Sequence, residues 1–160
     1  MTHQRTMVAA PTEATIVYRR EFDAEAARVF EAYTDRDLIG RWFGPRGTTM
    51  RIRTFDPRSG GEWSYVIEGL GGSWAFHGTF HEVTAPSRLV MTFEYEGEPG
   101  SPNLDILTFT DLPDGHSRID GRSIYPSVEA RDAMLEMDSG MDEDFERLDE
   151  LLASRVPAAS

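Results

Sequence analysis

Residues 127–153 read SVEARDAMLEMDSGMDEDFERLDELLA, and their periodicity decides the fold. Met134, Met137, Met141, Phe145, Leu148 and Leu152 recur at helical spacing, while Asp138, Asp142, Glu143, Asp144, Glu146, Asp149 and Glu150 fill the other faces. One apolar stripe means one buried face. Pro126 ends the preceding segment and Ser127 can serve as an N-cap, so a single long helix is expected from Val128 to Leu152. A helix laid across a curved sheet leaves a gap wherever the two surfaces do not mesh, and flexible Met side chains suit the wall of such a gap.

Upstream of that helix the period changes to that of strands, expected at Thr48–Asp56, Gly61–Glu68, Ser73–Val83, Arg88–Glu96, Leu104–Leu112 and Ser117–Tyr125. Gly60-Gly61, Gly71-Gly72, Ala85-Pro86, the stretch Gly97 to Pro102 and Asp114-Gly115 break them apart. Trp63, Tyr65 and Ile67 alternate with polar neighbours, as do Leu89, Met91, Phe93 and Tyr95, so these strands have one dry face. Trp74, Phe76 and Phe80 share a phase that Val83 leaves, which predicts a bulge near Glu82.

Nearer the N-terminus, Ala14–Phe22 reads as a further strand. Asp23 stands where a cap should precede a helix over Ala24–Tyr33, and a second short helix, Asp35–Phe43, is capped by Thr34 or Asp35 and stopped by Gly44-Pro45. Residues 1–12 and 156–160 read as tails around a single domain spanning 13–155. An antiparallel sheet of about seven strands must cover its concave face, and the terminal helix is the element long and apolar enough to do so. The expected fold is α+β, a helix-grip.

Composition narrows the function classes. The 160 residues carry 28 acidic and 16 basic side chains, a formal charge of -12, which opposes an electrostatic footprint for nucleic acid or anionic lipid. No cysteine is present, so thiolate nucleophiles, disulfides and zinc ribbons are excluded. Every basic residue is Arg, which removes Schiff-base and lysine general-base chemistry. Met7 to Ala10 falls short of a signal-peptide core or a membrane span, so a cytoplasmic location is expected. There is no Gly-x-Ser-x-Gly elbow and no glycine-rich loop opening a helix, so neither catalytic serine nor nucleotide cofactor is expected. His77 and His81, four apart on a strand, lie about 13 Å from each other, too far to share a metal ion. His116 at a turn and His3 in the tail join no evident constellation.

Five segments in order resemble a known family: Val29-Phe30-Glu31-Ala32-Tyr33-Thr34-Asp35, Arg41-Trp42-Phe43-Gly44-Pro45, Gly60-Gly61-Glu62-Trp63, Ala85-Pro86-Ser87-Arg88-Leu89-Val90, and Gly140-Met141 before Phe145-Glu146-Arg147-Leu148. Together, from about Glu13 to Ala153, they resemble the START-like (SRPBCC, polyketide-cyclase-like) superfamily, in the branch named for the activator of the heat-shock protein 90 ATPase. The family pattern favours Trp after the helix glycine, where this chain has Met141. The resemblance implies a cavity between sheet and terminal helix that holds apolar molecules across the superfamily.

The residues expected to line such a cavity are Trp42, Phe43, Trp63, Tyr65, Phe76, Phe93, Asp105, Phe109, Tyr125, Met134, Met137 and Met141. Each aromatic among them can equally be plain core, and Trp42 and Phe43 can gate the open end or plug it. Asp105, in phase with Leu107 and Phe109, is either a ligand-orienting group or a rim carboxylate in water. The leading expectation is non-enzymatic binding of a small apolar or aromatic molecule, by a monomer or homodimer. The alternatives are a cyclase or hydratase using Asp105, a tyrosine or His77 to move a proton, and a stress-related co-chaperone acting through its surface.

Overall fold

The computed structural model describes residues 3–136 and 139–154. It contains an open, eight-stranded antiparallel sheet, ordered β1-β2-β8-β7-β6-β5-β4-β3. The strands are β1 (Thr6–Val8), β2 (Thr15–Phe22), β3 (Thr48–Phe55), β4 (Glu62–Gly69), β5 (Gly72–Thr84), β6 (Arg88–Tyr95), β7 (Asn103–Leu112) and β8 (His116–Ile124). Helices α1 (Ala26–Thr34) and α2 (Arg36–Trp42) lie between β2 and β3, and α3 (Val128–Glu136) and α4 (Ser139–Ser154) come after β8. The expected helix-grip architecture is therefore present. Among the described residues, no helix is long and apolar enough to cross a membrane.

Several local expectations are met for identifiable reasons. Asp35 caps α2 by accepting from the Asp37 backbone N–H at 2.7 Å, and Ser127 Oγ accepts from Ala130 N at 3.1 Å at the start of α3. The β5–β6 register slips between Phe80 and Glu82, so the bulge falls beside the predicted residue, with a second slip between Ile52 and Thr54 on β3. Bulges bend a strand and increase its twist, which lets the long β5 follow a curved sheet. Gly78 serves the same curvature, because a Cβ there would stand 2.0 Å from the Thr92 carbonyl oxygen and 2.7 Å from the Trp63 ring.

Other expectations need correcting. Residues Thr6–Val8, in the stretch read as a tail, pair with β2 from Thr6↔Arg19 to Val8↔Val17, adding an edge strand. Buried Arg131 helps hold that segment by donating to the carbonyls of Ala10 and Glu13. Asp23 does not cap α1. Glu25 occupies the cap position without a side-chain bond, and Asp111 of β7 accepts from Ala26 N at 2.8 Å. The orphan N–H is thus satisfied from across the fold, by a partner that local spacing could not reveal. The stretch expected to be helical over 128–152 is helix wherever it is described, as α3 up to Glu136 and α4 from Ser139, with residues 137 and 138 outside the described residues.

The grip is built by α4. Phe145, Leu148 and Leu152 are buried in the core, with Phe145 packed 5.6 Å edge-on to Phe22 and 6.1 Å from Tyr18 of the sheet. Arg20 of β2, only 2% exposed, forms two parallel hydrogen bonds to the Asp149 carboxylate at 2.9 and 2.6 Å. Its guanidinium lies 4.8 Å from the Phe22 ring centroid, so the cation is desolvated but doubly compensated.

Candidate functional site

Curving the sheet away from α4 opens a cavity of about 460 Å³. The aromatic wall comes from alternate residues of neighbouring strands. Trp63 stacks on Tyr65 at 4.8 Å, and Phe93 lies 5.4 Å from Trp63 and 5.1 Å from Phe76. Phe43, just past α2, meets Tyr65 at 5.8 Å and Phe93 at 6.1 Å, closing the wall at that end. Trp42 both plugs and lines. It is 3% exposed, donates its indole N–H to the Ala32 carbonyl at 3.0 Å, packs on Tyr33 at 4.9 Å, and still borders the cavity. Tyr125, Met134 and Met141 border it as well.

One of the expected lining residues stands apart. Phe109 lies in the core beneath α1, edge-on to Phe30 at 5.1 Å and Tyr33 at 5.5 Å, and does not border the cavity. The side chain has the inward phase, but α1 fills the space in front of it. Met137 lies outside the described residues. The candidate base His77 is exposed, paired with Glu94 at 3.2 Å and Glu96 at 2.9 Å, and does not border the cavity.

The polar groups are few and specific. Asp105 borders the cavity, with Oδ1 accepting from Ser123 Oγ at 2.7 Å and Asn103 Nδ2 at 2.8 Å. Burial raises its carboxyl from 3.8 to about 6, and the two hydrogen bonds hold it from rising further. The rim placement in water is thereby replaced by an enclosed one.

Asp144 of α4 is the second cavity carboxylate, and the sequence reading left it on the solvent side of the helix. It lies three residues after Met141 and four before Leu148, which is the spacing that marks the inner face. Its Oδ1 accepts from Gly44 N at 3.1 Å, and burial raises it to about 7 against the pull of that bond and of Arg147. Arg147 spends its own donors on the carbonyls of Gly44 and Arg41. These contacts clamp α4 to the loop after α2, so the sequence break Gly44-Pro45 is pinned to the cavity wall.

Tyr18, Tyr33 and Tyr65 also border the cavity, and burial lifts all three phenols above their ordinary value. They stay neutral at any physiological pH. Among the described residues none of these three hydroxyls has a hydrogen-bond partner, whereas Tyr125 does interact further. Tyr18 keeps its place because it lies across Gly121 of β8, where a Cβ would come 2.2 Å from the ring. Arg5, preceding β1, borders the cavity as well, held by Asp142 at 3.1 Å and by the Met141 sulfur at 3.1 Å.

Away from the cavity, the fold brings His3, Asp23 and His116 together, with one donor atom from each within 4.8 Å of the others. Sequence distance hid this, since β2 and β8 pair only in the folded sheet. His3 Nε2 is hydrogen-bonded to Asp23 Oδ1 at 2.8 Å, and His116 Nδ1 lies 3.4 Å from the same oxygen.

Comparison with known proteins agrees with this geometry. A crystal structure of a Rhodobacter sphaeroides protein is 27% identical, matching 95% of this chain and 100% of that one with a TM-score of 0.83. Protein Ms6760 from Mycobacterium smegmatis is 21% identical over 98% of this chain and 100% of its own, TM-score 0.84. CalU16 from Micromonospora echinospora is 21% identical over 96% and 88%, TM-score 0.65. The last two likenesses concern the fold alone. No curated protein matched the sequence. The profile of the family described as Activator of Hsp90 ATPase homolog 1-like protein matches residues 23–153, so with its helix-grip sheet and cavity the chain belongs to that family, within the START-like superfamily.

Proposed function

We propose that this protein binds a small, largely apolar or aromatic molecule in the cavity between the sheet and α4, as a carrier or sensor. The observation that carries the reading is the cavity itself: about 460 Å³, walled by aromatic rings and methionines, with a small set of enclosed polar groups. An apolar wall supplies affinity without direction, and Asp105, Asn103, Ser123 and the tyrosine hydroxyls can orient a bound molecule. Trp42, Phe43, Trp63, Tyr65, Phe76, Phe93, Tyr125, Met134 and Met141 are assigned to ligand contact, with Asp105 as the orienting group.

Trp42, Trp63 and Trp74, the protein's three tryptophans, all border the cavity, so intrinsic fluorescence reports on it directly. The test is a screen of sterols, flavonoids, aromatic polyketides and fatty acids by thermal shift and tryptophan fluorescence. A saturable change for one class supports the reading. Thermal and fluorescence silence across all classes would overturn it.

A second reading rests on a specific observation. Two carboxyls bordering one cavity, at about 6 and about 7, are poised for proton transfer near neutral pH, as a cyclase or hydratase requires. It predicts turnover that Asp105→Asn or Asp144→Asn abolishes while affinity is kept. The co-chaperone alternative has less to draw on. Among the described residues the exposed large apolar side chains are Met7, Val8 and Val17 at the sheet edge, Val8 and Val17 being a register pair, and Leu70 on a separate hairpin.

A further inference from the structure

Resting on the cavity reading, we propose that the ligand is an amine: an apolar or aromatic body carrying a protonated nitrogen that seats against Asp105, in a cavity that discriminates against carboxylates and other anions.

Charge and unused hydrogen-bond capacity both point this way. Asp105 has two oxygens. Oδ1 is committed to Ser123 and Asn103, and among the described residues Oδ2 has no hydrogen-bond partner and Asp105 forms no ion pair. Asp144 also has a spare oxygen, with Oδ1 on the Gly44 N–H and, among the described residues, no hydrogen-bond partner on Oδ2, though Arg147 attracts it through space. An enclosed carboxylate without a cation is costly, and one that faces a cavity can be relieved by whatever enters it.

The cavity's own cation does not relieve them. Arg5 is engaged by Asp142 at 3.1 Å and by the Met141 sulfur, and it lies 5.8 Å from the centroid of the Tyr18 ring. With Arg5 offset by Asp142, the formal balance at the cavity surface is negative. A ligand carboxylate would enter an apolar chamber already holding Asp105 and Asp144, whereas an ammonium would turn the unused Asp105 oxygen into a charge-assisted hydrogen bond. Neutral hydroxyls on Tyr18, Tyr33 and Tyr65 can accept from the remaining N–H groups, since each phenol oxygen is both donor and acceptor.

The test uses one skeleton with three head groups: 2-(1-naphthyl)ethylamine, 2-(1-naphthyl)ethanol and 1-naphthylacetate, titrated calorimetrically into the full chain at about pH 8 and roughly physiological salt. The expected order is amine tighter than alcohol by about tenfold, and alcohol tighter than acetate. Asp105→Asn keeps an acceptor for Ser123 and Asn103 and should bring the amine to within about twofold of the alcohol. Because a chain of charge -12 attracts any cation, Glu150→Gln removes one charge outside the cavity, and it should leave the amine advantage intact. Acetate binding best, or an amine advantage that survives Asp105→Asn, would overturn the proposal. Equal binding of amine and alcohol overturns it too while the cavity reading stands. Failure of all three, together with a silent screen, removes both.

Discussion

At the scale of single residues, enclosing a carboxylate among aromatic rings raises the free energy of its ionised form, so Asp105 and Asp144 tie stability to pH. The folded value of Asp105, about 6, lies above its ordinary 3.8. Below pH 3.8 the group is protonated in both states and costs nothing. As pH rises through the window from 3.8 to about 6 the unfolded chain ionises first, so the folded state loses stability and stays penalised above it. Asp105→Asn should therefore stabilise the protein at about pH 8 by on the order of 1–3 kcal/mol, with the gain vanishing near about pH 4, as measured by urea unfolding at several pH values. A gain independent of pH would mean that Asp105 is not enclosed in its ionised form. Asp105 was legible as an inward residue from its phase with Leu107. Its enclosure was not, because that depends on Ser123 of β8 and on Tyr18 of β2, which the sheet brings from far along the chain.

At the scale of elements, arginines reaching across the fold add to the apolar core. Arg20 ties β2 to α4 through Asp149, and removing the acid leaves a guanidinium that is 2% exposed without its partner. Asp149→Ala should cost about 3 kcal/mol, the low end for a broken buried pair because Asp149 itself is partly in water, read as a fall in the urea midpoint. A loss below about 0.5 kcal/mol would assign the grip to Phe145, Leu148 and Leu152 alone. The inner face of α4 also offers a way to fill the cavity. Met141→Trp puts a rigid indole where a flexible thioether meets Arg5, and it should weaken ligand binding about tenfold with a change in melting temperature of a few degrees at most. Unchanged affinity would locate the ligand elsewhere.

For the molecule as a whole, a ligand at about 100 times its dissociation constant adds about 2.7 kcal/mol, which for a chain of this size raises the melting temperature by roughly 5–10 °C. That shift is the readout of the screen, and it grows with ligand concentration. The sequence by itself determined the element order, the dry faces of the strands, the β5 bulge, the α2 and α3 caps and the helix-grip architecture, because periodicity, capping and turn chemistry act between residues close in the chain. Only the tertiary structure decided that Thr6–Val8 is a strand, that Asp111 caps α1, that Phe109 is core while Asp144 faces the cavity, and that His3, Asp23 and His116 meet. Each of those depends on which surfaces the curved sheet and α4 bring into contact, and a residue's inward phase says only that it leaves water, not whether another side chain or a cavity awaits it.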